Sequence, residues 1–493
     1  MGNVSIAWKS ECRASKNIRR KEDYKSGDRN MNGEYFEEVF SPQALLEVFN
    51  DRYRKSAGKG VDRLNGFQFD RRAVHELATA SQKILSGSFR FSPYLEVLKL
   101  KGRGKAPRII GIPTIRDRVV LHQLNKYLAA QFPDCVPRNI AAVYVRDIAA
   151  DLQTLPQKKT WICTTDIKTF YDHIQRDRLL RVLAKKISSE PALRLVEHAL
   201  QTPIVPKNAQ RASHRVYKTD RGVPQGLAIS NILAAIYMQI VDEAMAGYGV
   251  RYHRYVDDVL MYGPRENVYK AFDTLKRRLR LRGLDLHSLR SGKSQICRAT
   301  EAFGYLGYVF NGTHITIRDQ TIERFLQSIA SKFSDYQHNK QRRLERFKYL
   351  DDQRMKEIFL LELNERISGA VKEDRRYGWI AYFNQITDLA LLHKLDDIIK
   401  KFFRRLNEFK NQPPAELKTL VRSYWEIKYR PKDGYVRDYD VFTSIAEKLK
   451  FLVERGRAAQ DEKLSEPEIE ARFEKYVRHN LAAMHADEGD IYR

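Results

Sequence analysis

The spacing of apolar residues divides the chain into a helical start, a strand-rich middle and a helical end. From Ser41 onward apolar positions recur at helical intervals, and a second helical pattern covers residues 70–85. Between about residues 90 and 310, strand-like blocks alternate with helical segments. The pattern therefore predicts an α+β layout, with strand-rich blocks at residues 161–175, 251–262 and 301–311.

Two further patterns predict a hairpin and a long helical region. Residues 94–100 and 108–112 are β-prone and flank a Gly-rich basic turn, which predicts a β-hairpin with a basic tip. Beyond about residue 311 the sequence turns long, charged and helical. Leu391 to Leu406 carry apolar residues at three- and four-residue steps among lysines and arginines, which indicates an amphipathic helix. Ordinary packing with a solvated basic face and direct nucleic-acid contact both fit that helix.

Charge narrows the choice of partner. The 493 residues include 88 Lys and Arg against 62 Asp and Glu, a formal net charge of +26. Such an excess favours a polyanion, with nucleic acid ahead of an acidic membrane surface. Residues 1–40 are polar and basic and are interpreted as a flexible arm. The longest apolar stretch, Leu227 to Val241, is too short to span a bilayer, so no membrane partner is expected.

The adjacent acids Asp257 and Asp258 are the strongest chemical signal. They lie among apolar and aromatic residues, where two uncompensated carboxylates repel each other and lose hydration, so a divalent cation is the natural neutraliser. Asp166 follows the β-prone run 161–165 and is a third candidate ligand. Three carboxylates on neighbouring strands can hold two Mg²⁺ ions for phosphoryl transfer. Paired aspartates are also common in ordinary turns.

A glycine-rich loop lies between these acids. Residues 221–231 read RGVPQGLAISN and lead into a small-residue helix. Glycines allow close backbone approach to a ligand, and Gln225 can bond a sugar hydroxyl or a base. The same pattern also fits an unremarkable start of a helix.

These blocks contain a series of motifs in order along the chain: KAPRIIGIPTIRDRVV at 105–120, DIKTFYDHI at 166–174, GVPQGLAISNILA at 222–234, YVDD at 255–258, GKS at 292–294 and FGYLGYVF at 303–310. In order and spacing these motifs resemble those of the prokaryotic reverse transcriptases of the group II intron and retron type. The resemblance covers roughly residues 40–320.

The resemblance implies a right-hand polymerase fold followed by an all-helical C-terminal domain. The expected divisions are a flexible N-terminal arm at 1–40, fingers at 41–160, a palm with an antiparallel sheet and part of the fingers inserted at 161–320, a helical thumb at 321–410 and a helical extension at 411–493.

The resemblance also implies roles for individual residues. Asp166, Asp257, Asp258 and the carbonyl of Ile167 would bind two Mg²⁺ ions, for which Mn²⁺ can substitute. Lys293 would assist the pyrophosphate leaving group, and Tyr171 would be a steric gate that excludes a ribose 2′-hydroxyl. The expected nucleotide pocket consists of Lys105, Arg108, Tyr171, Gln225 and Gly226. Arg116 and Arg118 fit either salt bridges of the fold or template contacts.

The chain departs from the family at Asn231, where intron and retron enzymes commonly carry Pro. It also shows no Cys- or His-rich endonuclease signature and no retroviral-type RNase H block. With its helical C-terminal region, it resembles the abortive-infection and defence-associated reverse transcriptases of bacteria. The expected function is RNA-directed DNA polymerisation in antiphage defence in the bacterial cytoplasm.

The expected partners are an RNA template, including a noncoding RNA from the same locus, a DNA product, dNTPs and further copies of the chain. Two alternatives stay open. One is the enzyme of a group II intron or a retron, and the other is an RNA-binding scaffold with unused polymerase residues, against which the intact acids and the aromatic gate argue.

Overall fold

The computed structural model describes residues 29–100, 106–136, 140–210, 219–430 and 433–488. In this part of the chain no helix combines the length and the apolar character needed to cross a membrane. The strands are β1 (Tyr94–Lys99), β2 (Arg108–Ile112), β3 (Thr160–Asp166), β4 (Ile204–Val205), β5 (Arg251–Tyr255), β6 (Asp258–Pro264), β7 (Gln295–Arg298), β8 (Phe303–Tyr305), β9 (Tyr308–Asn311), β10 (His314–Ile317), β11 (Ala370–Lys372), β12 (Arg375–Tyr377) and β13 (Arg437–Asp438).

The α-helices alternate with these strands in the first part of the chain and dominate the second part. They are α1 (Arg29–Val39), α2 (Pro42–Val48), α3 (Gly66–Asp70), α4 (Ala73–Leu85), α5 (Ile115–Gln131), α6 (Ala141–Thr154), α7 (Phe170–His173), α8 (Arg176–Leu183), α9 (Glu190–Gln201), α10 (Ser230–Met245), α11 (Arg265–Leu281), α12 (Asp319–Arg346), α13 (Asp352–Ser368), α14 (Trp379–Tyr382), α15 (Leu389–Phe402), α16 (Leu420–Tyr429), α17 (Ile445–Glu454) and α18 (Glu466–Asp487).

A four-stranded antiparallel sheet in the order β5-β6-β3-β7 forms the centre of the fold. Successive residues of β3 enter different cores, because side chains alternate between the faces of a strand. Cys163 packs into the core formed by the N-terminal helices, whereas Ile162 packs into the core formed with the C-terminal helices. Their register partners on β6, Met261 and Tyr262, follow the same division. Both faces of the sheet are therefore covered.

The first core contains the end of the predicted N-terminal arm. Phe36, Val39 and Phe40 are buried against the helices of this core, and the residues from Arg29 to Val39 form α1. The prediction of a flexible arm is therefore wrong for residues 29–40, because apolar side chains at helical spacing anchor them. The rest of the predicted arm lies outside the described residues. The predicted hairpin is confirmed by the antiparallel pairing of β1 with β2.

The second core joins the β8-β9-β10 sheet to the helices that follow it. Tyr305 and Tyr308 flank the β8–β9 turn and are buried together with Trp379 of α14 and Tyr424 of α16. The predicted amphipathic helix is present as α15. The expectation of a purely helical end needs one correction, since β12, β11 and β13 form a small sheet within it. The predicted limits of fingers, palm, thumb and extension stay predictions.

The last two helices are attached through a buried carboxylate, Glu365 of α13. Its side chain is 3% exposed and pairs with the fully buried Arg455 after α17. Asn480 of α18 donates to the same carboxylate at 2.7 Å. Tyr439 and Tyr476 donate at 3.2 and 3.1 Å. Hydrogen bonds from several elements thus converge on one charge, which fixes α17 and α18 against α13.

We expect Glu365→Gln to lower the free energy of unfolding by about 3 kcal/mol, because it leaves the Arg455 charge buried without a counter-ion. Thermal unfolding followed by circular dichroism measures the loss. The double variant Glu365→Gln, Arg455→Met removes both charges and should recover part of the stability. A single variant as stable as the unsubstituted chain would show that the pair does not hold these helices.

Candidate active site

The predicted carboxylates meet at one end of the central sheet. Asp166 is the last residue of β3, and its register partner on β6 is Asp258. Directly opposed residues of an antiparallel pair project to the same face, with Cβ atoms about 5 Å apart. Asp257 lies beside them in the β5–β6 turn, and its carbonyl accepts a hydrogen bond from the Ile167 amide at 3.1 Å. The structure therefore brings together all of the residues predicted to hold metal.

The turn that carries Asp257 has a rarely populated backbone. Tyr255 pairs with Asp258, so Val256 and Asp257 alone connect the two strands. Val256 has φ of 58°. Positive φ suits the two-residue turns of hairpins but normally selects Gly or Asn. A β-branched residue there is strained, and such strain concentrates at functional sites.

Electrostatic repulsion at this sheet end is severe. Burial, followed by the charges of Asp166 and Asp258, raises the pKa of Asp257 to about 8. A cation close to the carboxylates would offset the desolvation and the repulsion, so the residues present fit a divalent metal. Within the described residues, however, no group of three or more His, Cys, Asp or Glu side chains is arranged to hold a metal ion. Mg²⁺ sites often use one or two carboxylates and complete their shell with water and substrate phosphates.

The side chains of Lys293 and His287 lie close to the Asp166 carboxylate. The ammonium of Lys293 is 3.6 Å from the Asp166 carboxylate, and Nε2 of His287 is 3.4 Å from it. Burial and the Lys293 charge lower the pKa of His287. Lys293 was predicted, but His287 was missed, because only the pairing of its backbone amide with the Asp166 carbonyl brings it to the site. The GKS motif at residues 292–294 lies a few residues after His287, but it indicated Lys293 and not the histidine.

Tyr171 is held at the site from two directions. It lies in α7, a single turn that starts after Thr169, whose φ is 42°. Its hydroxyl donates a 2.6 Å hydrogen bond to the side-chain oxygen of Asn231, at the start of α10. Burial, and next the negative charge of Asp257, raise the pKa of the Tyr171 hydroxyl. The residue at which the chain departs from the family pattern therefore bonds the predicted gate.

The glycine-rich loop touches protein backbone on both sides. A Cβ on Gly222 would lie 2.9 Å from the Asp172 carbonyl, and a Cβ on Gly226 would lie 2.6 Å from a methyl of Ile110. Both glycines have positive φ, so no other residue fits readily. The Gln225 carbonyl accepts from the Gly111 amide at 2.8 Å, which joins the loop to β2. Close contacts with neighbouring elements, together with positive φ, therefore explain why glycine occupies positions 222 and 226.

These features surround one cavity of about 1910 Å³. Among the predicted site residues, those that line it are Arg108, Asp166, Ile167, Tyr171, Gln225, Gly226, Asp257, Asp258 and Lys293. Lys105 falls outside the described residues. Arg118 also lines the cavity but bonds the Pro113 carbonyl at 3.0 Å. Arg116 pairs with the buried Asp117 and so has a role in the fold.

Residues 100–310 match the family described as reverse transcriptase (RNA-dependent DNA polymerase). They form a reverse transcriptase domain. Its limits enclose β2, the central sheet, the glycine-rich loop and all but the last residue of the β8–β9 hairpin, and they include every residue predicted for the site. The resemblance to reverse transcriptases drawn from the motifs is confirmed at this level.

Curated relatives of the domain include proteins encoded in introns. An uncharacterised 91 kDa protein in the cob intron of Schizosaccharomyces pombe is 28% identical over 226 residues, which cover 44% of this chain and 26% of that protein. The group II intron-encoded protein LtrA of Lactococcus lactis subsp. cremoris is 21% identical over 216 residues, which cover 43% of this chain and 34% of that protein. The matched region thus spans about a quarter to a third of the length of these relatives.

Among solved structures, telomerase from Candida albicans in complex with the TWJ fragment of telomeric RNA is similar at 14% identity. That alignment covers 86% of this chain and 68% of the telomerase chain, with a TM-score of 0.38.

We expect Asp257→Asn to stabilise the reverse transcriptase domain when metal is chelated. The amide keeps the shape of the side chain and is neutral in the folded and the unfolded chain. It therefore removes the free-energy cost of folding with a carboxyl whose pKa is raised to about 8, and the unfolding midpoint in EDTA should rise by about 2 °C or more. Added Mg²⁺ should stabilise the unsubstituted chain more than the variant. Asp177→Asn, in the exposed pair with Arg181, is the matched control and should change neither midpoint. A variant that melts below the unsubstituted chain in EDTA would contradict the repulsion.

Proposed function

We propose that this chain is an RNA-directed DNA polymerase that adds dNTPs to a primer in the 1910 Å³ cavity. One observation carries the proposal: Asp166 and Asp258 are register partners at the end of the central sheet, with Asp257 beside them in the hairpin turn. Acids in this arrangement suit phosphoryl transfer, in which a primer 3′-hydroxyl attacks the α-phosphate and pyrophosphate leaves.

Asp166, Asp257 and Asp258, with the carbonyl of Ile167, would hold two Mg²⁺ ions. When bound, the ions would activate the attacking hydroxyl and neutralise charge on the phosphates. The raised pKa of Asp257 supports this assignment, because this carboxylate needs a nearby cation to stay ionised at neutral pH. Because Mg²⁺ usually completes its shell with water and substrate phosphates, the metal would enter together with the nucleotide.

Two basic side chains, Lys293 and Arg108, would act on the triphosphate. Lys293 lies within 3.6 Å of Asp166, beside the predicted metal site, and would stabilise charge on the leaving pyrophosphate. Arg108 lies at the start of β2 on the cavity wall and is near enough to Asp257 to oppose the rise in its pKa. Charge on both residues would orient the nucleotide before transfer.

Tyr171 would select deoxyribonucleotides. Its ring would occupy the space that a ribose 2′-hydroxyl needs, and the hydrogen bond to Asn231 would hold the ring in that orientation. A gate depends on a fixed position, because a ring that rotates away admits the larger sugar. Asn231 therefore acts as a positioning residue for Tyr171.

The intron-type role is favoured among the biological roles, because curated relatives of the domain are encoded in introns. Proposed partners are an RNA template, the DNA product and dNTPs. Antiphage defence, a noncoding RNA template from the same locus, self-association and a cytoplasmic location stay predictions. A scaffold with unused polymerase residues is less well supported, since every described residue predicted for catalysis lines the cavity.

We expect the purified chain to extend a DNA primer on an RNA template with Mg²⁺ and dNTPs. Asp166→Asn and Asp258→Asn should each lower the rate at least about a hundredfold, because a bound cation supplies several kcal/mol of transition-state stabilisation. Incorporation of labelled dNTP measures the rate. Asp177→Asn should retain full activity. If all variants and the unsubstituted chain bind template but incorporate nothing, the scaffold role replaces the polymerase.

We also expect Tyr171→Ala to raise the use of rNTPs relative to dNTPs, because it removes the ring. Tyr171→Phe and Asn231→Ala keep the ring but delete the hydrogen bond, which is worth about 1 kcal/mol. Both should therefore relax sugar selection by a similar and smaller amount, about fivefold, as measured by kcat/KM for each nucleotide. Equal discrimination in Tyr171→Ala and the unsubstituted chain would exclude the gate.

A further inference from the structure

A strip of aromatic and basic side chains faces solvent on α16, outside the residues that line the catalytic cavity. Arg422, Trp425, Lys428 and Tyr429 are exposed and follow one another at helical spacing on one face. We call these four residues the aromatic-basic face. The opposite side of α16 is buried in the second core through Leu420, Tyr424 and Ile427. Packing therefore fixes the helix, and none of the residues that the structure describes covers this face.

The two aromatic rings form a platform. Trp425 and Tyr429 are 49% and 56% exposed, which is unusual for side chains of this size. Their ring centroids are 4.7 Å apart at an interplanar angle of 33°. The rings thus support each other and still present a large accessible area. Exposed aromatics held in this way can stack with a planar group from a ligand.

The cations beside the platform keep their charge available. The Arg422 guanidinium lies 4.4 Å from the centroid of the Tyr435 ring. The Lys428 ammonium donates to the Tyr424 hydroxyl at 2.6 Å and lies 5.8 Å from the Tyr429 ring. These contacts involve rings and a hydroxyl, which orient a positive charge without neutralising it. Within the described ranges neither cation forms an ion pair with a carboxylate, so an anionic partner would supply a countercharge.

We propose that the aromatic-basic face binds single-stranded nucleic acid, with bases stacking on Trp425 and Tyr429 and phosphates contacting Arg422 and Lys428. Planar bases together with a repeating negative charge match both features of the face, and unpaired bases expose the surfaces that stacking needs. A two-fold contact with a second copy of the chain fits less well, because it would bring the same positive side chains of both copies together.

Hydrogen bonds connect α16, which carries the aromatic-basic face, to the region around the β8–β9 hairpin of the reverse transcriptase domain. Tyr424 of α16 donates to the Ile386 carbonyl at 2.9 Å. Nearby, Tyr382 of α14 accepts through its carbonyl from the Tyr308 hydroxyl and donates to the Leu306 carbonyl. Both partners belong to the β8–β9 hairpin, whose residues include part of the cavity wall. A nucleic-acid strand bound to α16 would thus be held on a helix that is connected to the β8–β9 hairpin at the cavity.

Binding of an RNA of about 12 nucleotides, a length within the range that such platforms cover, tests the proposal without dNTPs or metal. Trp425→Ala and Tyr429→Ala should each weaken binding by about five- to a hundredfold, which corresponds to the loss of one stacked base. Arg422→Gln with Lys428→Gln should flatten the plot of log affinity against log salt concentration by about 1.4. Phe67→Ala, which removes another exposed aromatic ring, is the control and should bind normally.

Trp425→Phe separates stacking from a general effect on folding. It keeps an aromatic ring, so affinity should stay near that of the unsubstituted chain, while the quenching of tryptophan fluorescence by RNA should fall. Unchanged affinity in Trp425→Ala, or equal quenching by duplex RNA, would overturn the proposal. A shift in sedimentation of Trp425→Ala without loss of RNA binding would assign the face to self-association instead. The binding assay contains no dNTPs and no metal, so a chain that is inactive as a polymerase would not obscure the result.

Discussion

Repulsion among three carboxylates at the end of the β3–β6 pair is the constraint on which the site depends. The fold brings Asp166 and Asp258 into register and holds Asp257 beside them, where burial and its two neighbours raise its pKa to about 8. No isolated hairpin would keep this arrangement, since the charges would separate and hydrate. The two cores on opposite faces of the sheet supply the stability that holds them together.

The backbone around these acids is strained at two positions. Val256 and Thr169, two β-branched residues with positive φ, lie on either side of the carboxylates, in the hairpin turn and before α7. Each bend directs a functional side chain, Asp257 in one case and Tyr171 in the other. Hydrogen bonds to the backbone of Ile167 and to the side chain of Asn231 hold these bends in place.

Site residues were predictable where the sequence immediately around them carried the signal. Asp166 and Asp257-Asp258 stand at strand ends with apolar neighbours, so strand patterning and charge together indicated their place. Tyr171 was predicted as the steric gate from its spacing to Asp166 within a family motif. The metal assignment and the domain limits remain predictions, because they depend on ligands and on boundaries that no local pattern defines.

Contacts between distant segments were not predictable. The bond from Tyr171 to Asn231 joins residues 60 positions apart, and His287 reaches Asp166 because its backbone amide, in a loop, donates to the carbonyl at the end of β3. The short strand β11 pairs with β13, more than 60 residues later in the chain. For α1 a signal existed, since Phe36, Val39 and Phe40 have helical spacing, but the surrounding charge concealed it.

The C-terminal region is part of the same folded body as the reverse transcriptase domain. Tyr305 and Tyr308 of the β8–β9 hairpin share a core with Trp379 and Tyr424, and Glu365 holds α17 and α18 against α13. A hairpin of so few residues cannot bury its tyrosines alone, so the helices that cover it determine its position. Because residues of that hairpin line the cavity, the helices that cover it support part of the cavity wall. The helical region and the site therefore share one packed core rather than standing as independent units.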